Sequence, residues 1–106
     1  MLRVNAQSAV PNPRMVAALS DFLDWPGTFT VVAERNGSTS VHKRVKIRFV
    51  GNKIHLAPSG ARATLITVSD YQVTSSQEGS FTLNPLDREK SSTVLTIARE
   101  MPESLD

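Results

Sequence analysis

The sequence predicts an α+β fold: one N-terminal helix packed on an antiparallel meander of five or six strands, forming a curved sheet or small open barrel. Three observations predict it. The stretch NPRMVAALSDFLDWPG, residues 12–27, carries helix punctuation and apolar residues at helical spacing. From residue 28 onward the chain breaks into short runs rich in Val, Ile, Thr and Phe. Turn pairs, Asn36-Gly37 and Gly51-Asn52 among them, separate those runs. With 106 residues, the chain fits one domain, residues 1–106, without room for a second core. Residues 1–11 read as an extended lead-in and 100–106 as a frayed acidic tail.

In the helix, Asn12 suits the cap and Pro13 the first helical position, and Pro26-Gly27 ends the run. Met15, Ala18, Leu19, Phe22, Leu23 and Trp25 supply its apolar face. TFTVVAER follows as a strand, and RNGS as a hairpin turn. A two-residue loop places Arg35 opposite Ser38 and puts Phe29 and Val31 on the face of His42 and Arg44. A three-residue loop with a bulge instead groups Phe29, Val31 and Ala33 with Val41, Lys43 and Val45. The second is preferred, because it lets one apolar face be buried.

VKIRFVGNKIHLAP reads more simply. A two-residue Gly51-Asn52 loop pairs Val50 with Lys53, Phe49 with Ile54, Arg48 with His55, and Ile47 with Leu56. Turn and alternation agree, since the apolar partners share a face. PSGA makes the next turn, and ARATLITVSDYQV a long strand bent near Ser69-Asp70. SSQEGS is a further connection and FTL a short strand. Asn84-Pro85 resembles a helix start, and Val94, Ile97, Ala98 and Met101 suit a helix. STVLTIA is equally rich in strand formers, and its Ser and Thr residues tip the reading towards strand.

Composition narrows the function classes. The chain has no cysteine, which excludes disulfides, thiol chemistry and thiolate metal sites. The N-terminus lacks the apolar core of a signal peptide, and no apolar run approaches the roughly 18 residues of a membrane span. A cytoplasmic protein without membrane contact is the expectation. Net charge is only +2. Between Arg35 and Ser69, however, stand seven Lys or Arg and no Asp or Glu, against five basic and ten acidic residues elsewhere. Such asymmetry steers anionic partners.

Catalytic signatures are missing. His42 and His55 are the only histidines and lack metal-ligand spacing. Asp21 and Asp24 read as solvated helix carboxylates. The chain has no nucleophile elbow, and GNKIHLAPSGA lacks the Gly-Lys-Ser/Thr ending of a phosphate loop. The expectation is a non-enzymatic protein without cofactor or metal.

The basic strand is the strongest signal. Side chains two apart on a strand lie about 6.5–7 Å from each other on one face. His42, Arg44, Lys46 and Arg48 thus form a row that matches the spacing of phosphates. His55 extends it, and Lys53 and Arg62 lie near turns. Such a row favours nucleic-acid backbone through charge-assisted hydrogen bonds. Histidines strengthen such binding below about pH 6.5, where they gain charge. The face carries no aromatic side chains for base stacking. An acidic protein surface is the alternative partner, in a homo-oligomer, a virion subunit or a small inhibitor. A solvated strand face is the plain alternative to both.

RVKIR followed by PSGA resembles the arginine and Ser-Gly elements of PilZ cyclic-dinucleotide domains, but the acidic or amide residue of the second motif is missing, which excludes the match. A basic sheet with a C-terminal helix is similar in plan to small RNA-phage coat proteins. The N-terminal helix departs from that plan, and no motif accompanies it.

Overall fold

Asn12 caps the helix: its side chain accepts a 2.9 Å hydrogen bond from the backbone N–H of Arg14. Helix α1 (Pro13–Leu23) follows, with Pro13 in its first turn as the sequence predicts. The structure, a computed structural model, describes residues 12–58, 60 and 62–101. The lead-in predicted for residues 1–11 lies outside them.

Seven strands follow among the described residues: β1 (Phe29–Arg35), β2 (Ser38–Val50), β3 (Lys53–Ala57), β4 (Thr64–Thr67), β5 (Tyr71–Ser75), β6 (Ser80–Pro85) and β7 (Val94–Arg99). They form one antiparallel sheet in the order β4-β3-β2-β1-β7-β6-β5. The expected count was five or six. The difference arises in ARATLITVSDYQV, which bends near Ser69-Asp70 more sharply than a single strand permits. A 3-10 turn, Val68–Asp70, divides it into β4 and β5.

That turn also explains the curl. β4 and β5 are opposite edges of the sheet, yet three residues join them. Three residues of 3-10 helix rise only about 6 Å. The edges must therefore come round towards each other, and the sheet rolls into a half-barrel. Ile66 of β4 and Tyr71 of β5 accordingly line one cavity.

The interior draws on every layer. Leu19 of α1, Phe29 of β1, Ile54 of β3, Leu83 of β6 and Ile97 of β7 are fully buried. The helix closes part of the half-barrel with Leu19 and Leu23, which join the core. Phe22 lies 5.9 Å from Phe29 and 4.7 Å from Phe81 between ring centroids. Arg99 fastens the C-terminal end of α1: its Nε donates to the Phe22 carbonyl at 2.9 Å and Nη2 to the Asp21 carbonyl at 3.2 Å. Its guanidinium lies 4.9 Å from the Phe22 ring centre and 4.6 Å from that of Trp25. A cation on the last carbonyls of a helix satisfies orphan acceptors and complements the dipole.

The β2–β3 register is the predicted one at all four predicted pairs, Val50↔Lys53 through Ile47↔Leu56. The tail STVLTIA contains a strand, β7, which lies between β1 and β6 rather than at an edge. Asn84-Pro85 ends β6 instead of starting a helix. The chain then turns at Asp87, whose carbonyl accepts from Lys90 and Ser91.

The first hairpin departs from the preferred reading. Asn36 (φ 52°) and Gly37 (φ 82°) form a two-residue turn with Arg35 opposite Ser38. Both positive φ values are what such a tight hairpin turn requires. The register then runs Ala33↔Ser40, Val32↔Val41 and Val31↔His42, but Phe29 pairs with Val45. One extra residue of β2 therefore sits between His42 and Val45. Lys43 and Arg44 together oppose Thr30, and Arg44 takes a positive φ of 59°. The loop needs no bulge; the bulge lies inside the strand. It resets the alternation so that Val45 and Ile47 are buried while the turn keeps its preferred length.

Candidate functional site

The bulge sorts the predicted basic row onto two faces. Before it, His42 pairs with the buried Val31 and so belongs to the inner face. After it, Val45 and Ile47 point inward and Lys46 and Arg48 outward. The four-residue row His42, Arg44, Lys46, Arg48 does not exist as one surface. An inserted residue reverses the facing of everything on its far side.

Arg44, Lys46, Arg48, Lys53 and His55 remain on the outer face, and all five are exposed. Arg48 is directly opposite His55, which is opposite Leu65 of β4. Lys46 faces Ala57 across the strands, and Lys53 lies between Val50 and Thr67. Lys53 Nζ donates to Thr67 Oγ1 at 2.9 Å. Neighbouring strands are about 4.8 Å apart, so Arg48 and His55 tips are near neighbours. The helix buries Leu19 and Leu23 on the inner side and leaves this face open.

Two groups of carboxylates mark its margins. Glu100, just beyond β7, accepts hydrogen bonds from Thr28 Oγ1 at 2.5 Å, Thr30 Oγ1 at 2.7 Å and the Arg44 backbone N–H at 2.9 Å. These donors, Thr28 foremost and then the Arg44 amide, with a smaller contribution from the Arg44 charge, pull its pKa from 4.5 down to about 2. Burial opposes that shift. Glu100 is thus a fixed member of the fold, whereas the sequence reading placed it in a frayed tail; residues 102–106 of that tail lie outside the described residues. A depression on the outer face carries Thr28, Arg44, Lys46, Ala57 and Glu100, so the Arg44 charge is partly answered there. At the other margin, Arg48 borders a groove with Asp21 and Asp24 of the α1 end. Lys46 shares the depression with Glu100 and Arg48 the groove with Asp21 and Asp24, whereas Lys53 and His55 line neither.

Arg62, also predicted for the basic surface, joins His42 elsewhere. Both are exposed and line a partly open hollow of about 390 Å³ on the inner side of the curl, whose walls include Val31, Val45, Leu56 and Leu95.

Sequence reasoning missed three relevant groups. Lys43 is an exposed cation next to Arg44 in the bulge. Glu100 is separated from its Arg44 partner by 56 residues, and no local pattern links them. Val50 and Leu65 add exposed apolar surface to the basic face, at 54% and 55% exposure.

Among the described residues, no group of three or more His, Cys, Asp or Glu is placed to hold a metal ion. No helix among them is long and apolar enough to cross a membrane. No protein-family model, curated protein or solved structure matches the chain.

Proposed function

We propose that the protein is a non-enzymatic binding protein whose outer β2–β3 face engages nucleic-acid backbone. The supporting observation is the Arg48–His55 cross-strand pair flanked by Lys46 and Lys53, all exposed, in a segment free of carboxylates from residue 35 to 69. Lys46, Arg48 and Lys53 donate to phosphate oxygens, with the Arg48 fork suited to two oxygens at once. His55 adds a further donor, and Arg44 contributes from the margin beside Glu100. With no aromatic side chain among these residues, the contact reads backbone charge rather than base identity.

The test is a triple variant, Lys46→Ser, Arg48→Ser and Lys53→Ser, in filter binding to duplex and single-stranded nucleic acid across salt. Each lost phosphate contact lowers the slope of log K against log salt by about 0.9 for duplex or about 0.7 for a single strand. The triple variant therefore flattens the slope by about 2 to 3. An unchanged slope contradicts the assignment.

A second reading is favoured by Val50 and Leu65, which place apolar surface within the basic cluster. Backbone phosphate makes no use of such groups, whereas an acidic protein surface with an apolar centre does. That partner includes a second copy of the chain. Light scattering after size exclusion separates the two: a salt-sensitive oligomer free of nucleic acid favours the protein partner.

A further inference from the structure

We infer that the hollow of the half-barrel not lined by α1 binds a small amphipathic carboxylate, with His42 and Arg62 holding the anionic end. The hollow has a volume of about 390 Å³. Small-molecule sites begin at about 300 Å³. Its opposite pole is filled in the usual way. Phe22, Phe29 and Phe81, three of the four phenylalanines, cluster under the helix. Around the hollow, by contrast, Ala33, Ser91 and Thr93 are half-buried and Thr64 is exposed, and none of them fills it with a large apolar side chain.

The wall chemistry selects the ligand. Val31, Val45, Leu56, Ile66 and Leu95 present aliphatic surface from five strands or their flanks. Arg62 and His42 also line the site, and no Asp or Glu among the described residues does. An apolar body with one anionic head satisfies both features. A single guanidinium offers a planar fork that matches a carboxylate. At about 30 Å³ for each water-sized group, the space takes roughly a dozen non-hydrogen atoms. A ten-carbon straight-chain carboxylate has that size.

The bulge makes the site. Without the extra residue in β2, Val45 and His42 cannot both face inward, because they are three positions apart. The same residue that frees Lys46 and Arg48 for the outer surface thus turns the exposed His42 to the side of the hollow.

The experiment titrates decanoate into the isotope-labelled full chain and follows the methyl resonances of Val31, Val45 and Leu56. Parallel titrations use 1-decanol and decyltrimethylammonium. Decanoate is expected to bind saturably, about ten-fold more tightly than the alcohol, with no binding of the cation. Arg62→Gln, an exposed position outside any strand, is expected to weaken decanoate about ten-fold and leave decanol unchanged. Ala33→Leu, which fills the hollow, is expected to weaken both. Absence of saturable methyl shifts below the aggregation concentration of decanoate overturns the inference, as does equal affinity for alcohol and carboxylate. Binding of an apolar tetrapeptide with a free C-terminus, without decanoate binding, assigns the hollow to a peptide partner and also overturns it. The result is independent of the outer face, because neither His42 nor Arg62 belongs to the Lys46–Arg48–Lys53–His55 cluster.

Discussion

Glu100 accepts a 2.9 Å hydrogen bond from the backbone N–H of Arg44, the residue whose positive φ marks the bulge in β2. The same carboxylate holds Thr28 and Thr30, so one side chain ties the end of β7 to β1 and to the irregular point of β2. A bulge that re-aims side chains needs such support, because an arginine in the left-handed region is held there at a cost of about 1–2 kcal/mol.

The carboxylate gives the fold an acid limb. With its pKa at about 2 against an ordinary 4.5, the ionised form is favoured in the folded state. Its contribution is fully present above pH 4.5 and is lost as pH falls towards 2. Water screens this partly exposed group, so the effect appears as a change of shape in the acid limb rather than a large loss at neutral pH. Glu100→Gln is expected to flatten urea stability between pH 4.5 and 2 relative to the unaltered chain. Identical acid limbs in the two proteins contradict the clip.

Arg44→Gly removes the left-handed penalty while keeping the amide that Glu100 binds. Glycine adopts this conformation freely, although it also enlarges the entropy of the unfolded chain. Equilibrium urea unfolding is expected to show neutral to slightly higher stability, by up to about 1 kcal/mol. Arg44→Val, a β-branched residue at the same φ, is expected to cost about 1–3 kcal/mol. If valine is tolerated as well as glycine, the bulge is not where the register places it.

Gly27 is required by the indole beside it. A Cβ there comes within 2.7 Å of Trp25 Nε1 and 3.3 Å of Trp25 Cε2. Trp25 also stacks under Arg99, so its ring cannot retreat freely. Gly27→Ala is expected to destabilise by about 1–3 kcal/mol and to shift the fluorescence of the single tryptophan. Unchanged emission and stability contradict the packing.

Arg99→Lys tests the helix anchor. Lysine keeps the charge but loses the planar stack between Phe22 and Trp25 and the two-carbonyl grip. A loss of about 1–2 kcal/mol in chemical denaturation is expected, with protection lost first in α1 amides by hydrogen exchange. Uniform loss across the sheet instead contradicts a local anchoring role.

The legible parts of this fold are those in which two local signals agree. Asn12 and Pro13 agree with the apolar spacing of α1, and the Gly51-Asn52 turn agrees with the alternation around it. The β1–β2 hairpin is the opposite case. Its Asn-Gly turn requires Val31↔His42, whereas the apolar residues require Phe29↔Val45. Both hold only with an extra residue between positions 42 and 45, so the conflict itself was the signal. Val41, Val45, Ile47 and Phe49 hide it, because their odd positions read as one uninterrupted face. The hollow was less legible, since its walls come from residues scattered between Val31 and Leu95 that only the curl brings together. The curl depends on β4 and β5 becoming opposite edges, which no local pattern in ARATLITVSDYQV specifies.

The most direct measurement compares salt slopes residue by residue. The bulge puts Lys46 and Arg48 on the outer face, beside Lys53 of β3, and turns His42 to the other side, where it lines the hollow with Arg62. Single substitutions of Lys46, Arg48 or Lys53 by Ser are predicted to lower the slope for nucleic-acid binding by about 0.7–0.9 each, while His42→Ala and Arg62→Gln leave it unchanged. A uniform fall across all five variants, or no slope in the unaltered protein, contradicts the account.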